Sequence, residues 1–579
     1  MTPLLQGVRY QRLQEAESDE QEEEITVHLY NHSSRTVIQA HRRDAALRIC
    51  SSLFLLAIAI GFVLYELEYG SVESPSAQHS FHHSLSPPEN ISTLETNHHG
   101  SHRHSEETVV RGEHKGHQHG GDEQSGSLPA SHSHSAGTYH RAAAVTDSES
   151  CSIVARDIMR TGGSVVDAGI AAVLCLSVVH SHCVSLGGIF TSIYFNGTTQ
   201  NASVLNAVPS KASPIPYGTP TLLQGLWVLH QRHGRKLWSD LFNPAIDLAI
   251  LGFLVDKSLH TALEQNQNKA KSSEGLQRLF YNQDILKRVG DSVTNVPLGN
   301  MLKIAKTMRD SALSEVLMQN LLSDIGLPDR EKFHKALSNL HLKSEAPIRL
   351  QLDGLTLYSS SAPTAGRIFA SSVQEVYQNR SKTLASISEV LVNVSKTMYR
   401  HFGVWPAENG SAGPQRQWDL APVGSNVLVT DADGNMVVIA LTLNSTFGSG
   451  FVSPSTGILL SDFVQESSSV TSNPLSFWAC PSILLFGAND DIVGLTARGG
   501  SSLPFHLAHV LLSHVLQQMD LTESIIKTLT DLQPRDADPW LKYFDLQIGA
   551  PEAVMAVEMR AEHVHVVTSQ DCLCYPTGL

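Results

Sequence analysis

One segment limits every fold this chain can adopt. From Ile49 to Tyr65 no residue carries a charge, and Ala45 to Leu47 extend the apolar run. Its length is close to the roughly 20 residues that cross a bilayer as a helix; the other reading is a helix buried in a core. It starts too far along the chain for a usual signal peptide, and no small-residue cleavage motif follows. Arg42, Arg43 and Arg48 precede it, and no Lys or Arg follows until Arg103. Basic flanks stay in the cytosol. A single-pass type II arrangement is therefore expected: 1–44 in the cytosol, 45–66 as a transmembrane signal anchor, and the remainder lumenal or extracellular.

The segments on either side lack the apolar residues needed for a core. Residues 1–44 carry the acidic run Glu22 to Glu24 with Glu15, Glu17, Asp19 and Glu20 close by, and read as a disordered tail. Residues 67–140 form a His-, Ser- and Gly-rich stalk that includes His79, His98, His102, His117 and His134. Too few apolar residues interrupt it for a core to form. Such a tract is a hydrated spacer, or a weak binder of zinc or copper. The globular part runs from about 141 to the end. The formal net charge of -15 speaks against nucleic acid as a partner. Seven cysteines are too few for a disulfide scaffold, and none has zinc-finger spacing. One or two disulfides fit an oxidising compartment, with the pairing open. Sequons at Asn90, Asn196, Asn201, Asn379, Asn393, Asn409 and Asn444 agree with export as a glycoprotein.

The globular part opens with a short strand. A helix follows from about Ser150 to Arg160, with Gly162 and Gly163 as its left-handed stop. An apolar helix begins near Asp167. Further on, Val427–Thr430, the turn Asp431–Asn435 and the apolar run Met436–Leu443 read as a hairpin.

The opening Ser150-x-x-x-x-Ala155-Arg156-Asp157-Ile158 with Gly162-Gly163-Ser164 and Val166-Asp167-Ala168 resembles that of the gamma-glutamyltransferase (glutathione hydrolase) family. Leu186-Gly187-Gly188, the block His230 to Pro244, Phe447-Gly448-Ser449, Pro454 to Leu460, Pro474-Leu475-Ser476, Cys480-Pro481 and Gly499-Gly500 follow in the family's order. The resemblance implies an α/β (α+β) N-terminal-nucleophile fold, a four-layer αββα sandwich. It also implies a precursor that cuts itself before a hydroxyl residue. The large-subunit-like part would be 141–424 and the small-subunit-like part 425–579, held together non-covalently. Glutathione or another gamma-glutamyl compound would be the substrate, its acyl group passing to water or to an amino acid or peptide. No cofactor and no metal ligand is expected in the folded part.

The hairpin start Gly424-Ser425-Asn426 falls where the family places Gly-Thr-Thr-His or Gly-Thr-Ala-His. Without a gap the family's threonine falls on Gly424. With a one-residue deletion it falls on Ser425, which has the hydroxyl. Ser425 is then the candidate nucleophile, its freed α-amine the base; otherwise it only starts a strand. Gly499 and Gly500 match the oxyanion pair, and Thr442, Asn444 and Ser476 match substrate contacts. The family's α-carboxylate Arg is here Val208, and its two ammonium-binding carboxylates are Phe463 and Glu466. Phe477 replaces a second serine, and Arg498 is a substitute clamp by position alone. Two functions remain open: an active acyltransferase on altered substrates, or a degenerate relative serving as a membrane-anchored binding protein.

Overall fold

The computed structural model describes residues 137–209, 216–308, 311–338, 342, 344–379, 387–401, 423–463, 477–487, 491–500, 502–531 and 553–579, save positions 562 and 571. The tail, the apolar span and nearly all of the stalk lie outside them, as do Asn90, Asn409, Glu466 and Ser476. Among the described residues no helix is long and apolar enough to cross a membrane.

Among the described residues fourteen strands build two seven-stranded sheets: β1 (Thr138–Tyr139), β2 (Ala142–Thr146), β3 (Ile189–Asn196), β4 (Asn201–Ala207), β5 (Ser344–Glu345), β6 (Ile348–Leu352), β7 (Leu355–Ser359), β8 (Val423–Asp431), β9 (Met436–Asn444), β10 (Ser482–Phe486), β11 (Asp491–Arg498), β12 (Ala553–Arg560), β13 (His563–Thr568) and β14 (Tyr575–Gly578). One sheet runs β14-β2-β8-β9-β3-β4-β5; the other runs β1-β13-β12-β11-β10-β7-β6. The helices that frame them are α1 (Glu149–Arg160), α2 (Val165–Val179), α3 (Leu222–His233), α4 (Lys257–Gln265), α5 (Gly366–Asn379), α6 (Ile387–His401), α7 (Leu503–Gln517) and α8 (Leu521–Asp531).

Three apolar cores give the layer order. Val427, Val429, Val437 and Ile439 pack on the side of α1, α2 and α3. Leu428, Met436 and Val438, on the opposite face of the same hairpin, meet Ile483, Ile492, Met555 and Val557 of the other sheet. Leu484, Val493 and Leu495 then pack against Phe369, Val373, Leu507 and Leu511 on α5 and α7. The order is helix, sheet, sheet, helix, as expected. Successive side chains of a strand point to opposite faces. A strand buried on both faces therefore reads as an unbroken apolar run, as Val427–Val429 and Met436–Leu441 do.

Helix α2 is the centre of the first layer, and every one of its residues is buried. Ser164 and Asp167 form a reciprocal capping box at its start, satisfying two orphan amides. Asp167 also accepts the backbone N–H groups of Arg235 and Lys236. Gly162, at φ +87°, ends α1 as the sequence predicts. Cys151 and Cys175 bridge α1 to α2 with 5.4 Å between their Cα atoms, which settles a pairing the sequence left open; Cys572 and Cys574 form the second pair. The first bridge closes a loop of separation 24. Replacing both of its cysteines with alanine should lower unfolding free energy by about 3 kcal/mol, read from urea curves at neutral pH.

His509 of α7 is buried and hydrogen-bonds Thr528 and Ser388. Burial pushes its pKa down to about 4, against the pull of the Asp531 carboxylate and aided by His506 and Lys527. The unfolded chain therefore takes up this proton first. Stability should fall by about 1.4 kcal/mol per pH unit below roughly 6.5, flattening near pH 4. Urea curves of His509→Gln should lack that component of the slope.

Candidate active site

Asp147 lies between β2 and α1 and is fully buried. The turn that carries it is tied by Thr146, whose Oγ1 donates to the Ser148 carbonyl at 2.8 Å and whose N–H donates to Ser152 Oγ at 3.0 Å. Three groups converge on its carboxylate. Ser425 Oγ donates to Oδ2 at 2.5 Å, the Asn426 N–H donates to the same oxygen at 2.9 Å, and Arg498 Nη1 donates to Oδ1 at 2.7 Å. A buried carboxylate needs such partners to remain charged. Asn426 is fixed in turn, its Oδ1 accepting from Thr496 Oγ1 at 2.8 Å.

Ser425 is buried in β8 beside an irregularity of the ladder. Val423 faces Asn444 and Ser425 faces Leu441, so Gly424 alone stands opposite Thr442 and Leu443. This is a bulge in β9, its two residues set against the one that precedes Ser425. A Cβ on Gly424 would come within 3.1 Å of the Leu441 carbonyl and 3.9 Å of the Arg498 Cβ, so glycine keeps the junction open.

Of the residues predicted for the site, the structure brings Ser425, Thr442 and Asn444 to one end of the hairpin. Thr442 is buried, and its Oγ1 accepts the Asn444 N–H at 2.8 Å. Asn444 adopts φ +77°, a left-handed backbone that asparagine tolerates. Its Nδ2, the nitrogen a glycan would need, donates to Asp462 Oδ1 at 3.2 Å. Gly499 and Gly500 follow Arg498 at the end of β11, and the Gly500 carbonyl accepts the Leu503 N–H at the start of α7. Arg498, the substitute clamp by position, pairs through Nη1 with Asp147.

Val208, Phe463 and Phe477 stand where the resemblance calls for charged or hydroxyl groups. They pack into one apolar cluster with Ile189, Ala440 and Ala479. The replacements are thus a single packed unit. Asn206, two residues before Val208, is held by Thr191, Ser361 and the Ala362 carbonyl.

Sequence reasoning missed Asp147, Asn426 and Thr496. The available signal for Asp147 was an acid between a strand and a helix N-terminus. It missed also His180, His182 and Cys183, in the turn after α2. Burial pushes the His180 pKa down to about 3 and that of His182 well below its ordinary value; Arg498 acts in the same direction on both. Burial pushes the Cys183 thiol up to about 12, against Arg498.

A family model described as gamma-glutamyltranspeptidase matches residues 151–403 and 381–535. Glutathione hydrolase 6 of Bos taurus is 32% identical over 397 residues, covering 68% of this chain and 72% of the relative. The protein of that name from Mus musculus is 29% identical over 454 residues, covering 77% and 80%. Among solved structures, the cephalosporin acylase from Bacillus halodurans matches with a TM-score of 0.57 at 15% identity, over 78% of this chain and 98% of that one. At that identity the likeness speaks for the fold alone.

Proposed function

The chain belongs to the gamma-glutamyltranspeptidase family, and from that premise we propose that it cuts itself between Gly424 and Ser425 and then acts through Ser425 as a gamma-glutamyl hydrolase or transferase. The hydrogen bond from Ser425 to the buried Asp147, itself paired with Arg498, carries this reading. In the precursor Asp147 takes the hydroxyl proton as Oγ attacks the Gly424 carbonyl carbon. The Gly424–Ser425 C–N bond breaks, and the proton passes to the departing nitrogen. Water then hydrolyses the resulting ester, leaving a Gly424 carboxylate and the Ser425 hydroxyl. The freed α-amine takes the hydroxyl proton in each later turnover. Oγ attacks the gamma-glutamyl carbonyl, the leaving amine receives the proton, and water or an acceptor amine resolves the acyl-enzyme. Two backbone N–H groups at Gly499 and Gly500 serve the oxyanion. The segment 45–66 anchors the protein as a single-pass type II membrane protein, because basic residues flank only its N-terminal side.

A second reading keeps the fold as a membrane-anchored binding protein without turnover. The apolar cluster of Val208, Phe463 and Phe477 favours it, since nothing there can pair with a substrate α-carboxylate or α-ammonium. Loss of a charge-assisted clamp costs about 1.5–3 kcal/mol, roughly 10- to 150-fold in KM for glutathione. The N-terminus of each fragment of the purified protein decides between the readings. A small fragment starting at Ser425, with turnover of a chromogenic gamma-glutamyl anilide, supports the enzyme. A single natively folded chain without turnover leaves the binding protein.

A further inference from the structure

Helix α2 ends at Val179, and the chain turns at once. The His180 carbonyl accepts the N–H groups of both Cys183 and Val184 at 3.0 Å. This tight turn points His180, His182 and Cys183 into one place. Each offers one ligating atom, and the three atoms lie within 4.8 Å of one another. All three residues are buried, at 0%, 4% and 7% exposure. Both ring nitrogens of His180 and Nδ1 of His182 have no hydrogen-bond partner among the described residues. Three orphaned buried nitrogens in one cluster are costly, because such groups are almost always paired.

We propose that His180, His182 and Cys183 form a binding site for a zinc-type divalent transition ion. Two imidazole nitrogens and a thiol are a borderline-soft donor set, which suits zinc and discriminates against magnesium and calcium. His182 Nε2 pairs with Ser258 Oγ of α4 at 3.1 Å, which orients the ring and leaves Nδ1 for the ion. In a tetrahedral zinc site the donor atoms stand about 3.3–3.6 Å apart, so the three side chains draw in by about an ångström on binding. The ion displaces the Cys183 thiol proton to solvent and takes the thiolate as ligand. Asp147 and Asp256 act on the Cys183 sulfur and offset the added charge, while Arg498 opposes it. Among the described residues no fourth side chain joins the cluster, so water completes the coordination, as in open zinc sites. The Gly424 backbone pulls the Cys183 thiol down against burial, so the ion lies against the strand that carries Ser425.

Cobalt(II) titration of the full chain in detergent tests this without reference to cleavage or turnover. The expected result is a thiolate-to-cobalt charge-transfer band with tetrahedral visible bands, saturating at one cobalt per chain and displaced by zinc. Histidines of the stalk also bind cobalt, but no cysteine lies between 67 and 140, so they give no thiolate band. Cys183→Ser should abolish the band, and His180→Gln should weaken cobalt affinity at least tenfold while unfolding cooperatively. If Cys183→Ser fails to fold, the wild type and His180→Gln carry the test. Absence of a thiolate band in natively folded, cobalt-saturated protein overturns the proposal. So does a band that survives Cys183→Ser, which would trace to Cys480 or Cys50, or an unchanged affinity in His180→Gln.

Discussion

Ser425→Ala should leave a single uncut chain that folds and does not turn over gamma-glutamyl substrates. The substitution removes the hydroxyl proposed to attack Gly424, and with it both the nucleophile and the α-amine that would follow. Loss of an activated nucleophile costs roughly 10⁴-fold or more in kcat. The fold should persist, because Ser425 makes one side-chain hydrogen bond to Asp147, worth about 1.5–3 kcal/mol to a charged acceptor. Ser425→Thr keeps the hydroxyl and adds one methyl group at a buried position, costing about 1–3 kcal/mol of stability. It should still cut. A reducing gel and fragment sequencing read both outcomes. A fragment beginning at residue 425 in Ser425→Ala would sink the assignment of the nucleophile.

The second large effect concerns the ion pair behind that serine. Arg498→Ala leaves the Asp147 carboxylate fully buried without its cation. Breaking a buried pair on one side costs about 3–5 kcal/mol. Arg498 is itself one-fifth exposed, so Asp147→Asn should cost less than Arg498→Ala. The pair should therefore couple by about 2 kcal/mol in a double-mutant cycle of urea midpoints. Coupling near zero would mean that the contact adds nothing to stability. Asp147→Asn should also slow cutting at Ser425 far more than its effect on stability explains, since the amide cannot take the hydroxyl proton.

Much of the fold was legible because its signals are local. The glycine stop after α1, the start of α2 near Asp167 and the Asp431–Asn435 turn each follow from neighbours in sequence. The site was less legible because its contacts are not local. Asp147 and Ser425 are 278 positions apart, and nothing in either segment names the other. The losses at Val208, Phe463 and Phe477 read as separate defects in the sequence, whereas folding packs them into one cluster. His180, His182 and Cys183 were hidden differently. They follow a fully buried helix, and the HxHC spacing matches no zinc-finger pattern, so only the turn brings their donors together.

The order β14-β2-β8 has a consequence for the history of each molecule. Strand β2 precedes the Gly424–Ser425 junction, and both of its neighbours contain residues that follow it. The other sheet mixes the two sides as well, with β7 against β10 and β1 against β13. Neither disulfide spans the junction. If that peptide bond is cut as proposed, the two pieces are interleaved but no longer tethered. Heating or denaturant would then scatter them, and recovery would require a bimolecular search, diluted where the parent had none. A nicked molecule therefore owes its lifetime to the height of its unfolding barrier, and its assembly happens once, at the start.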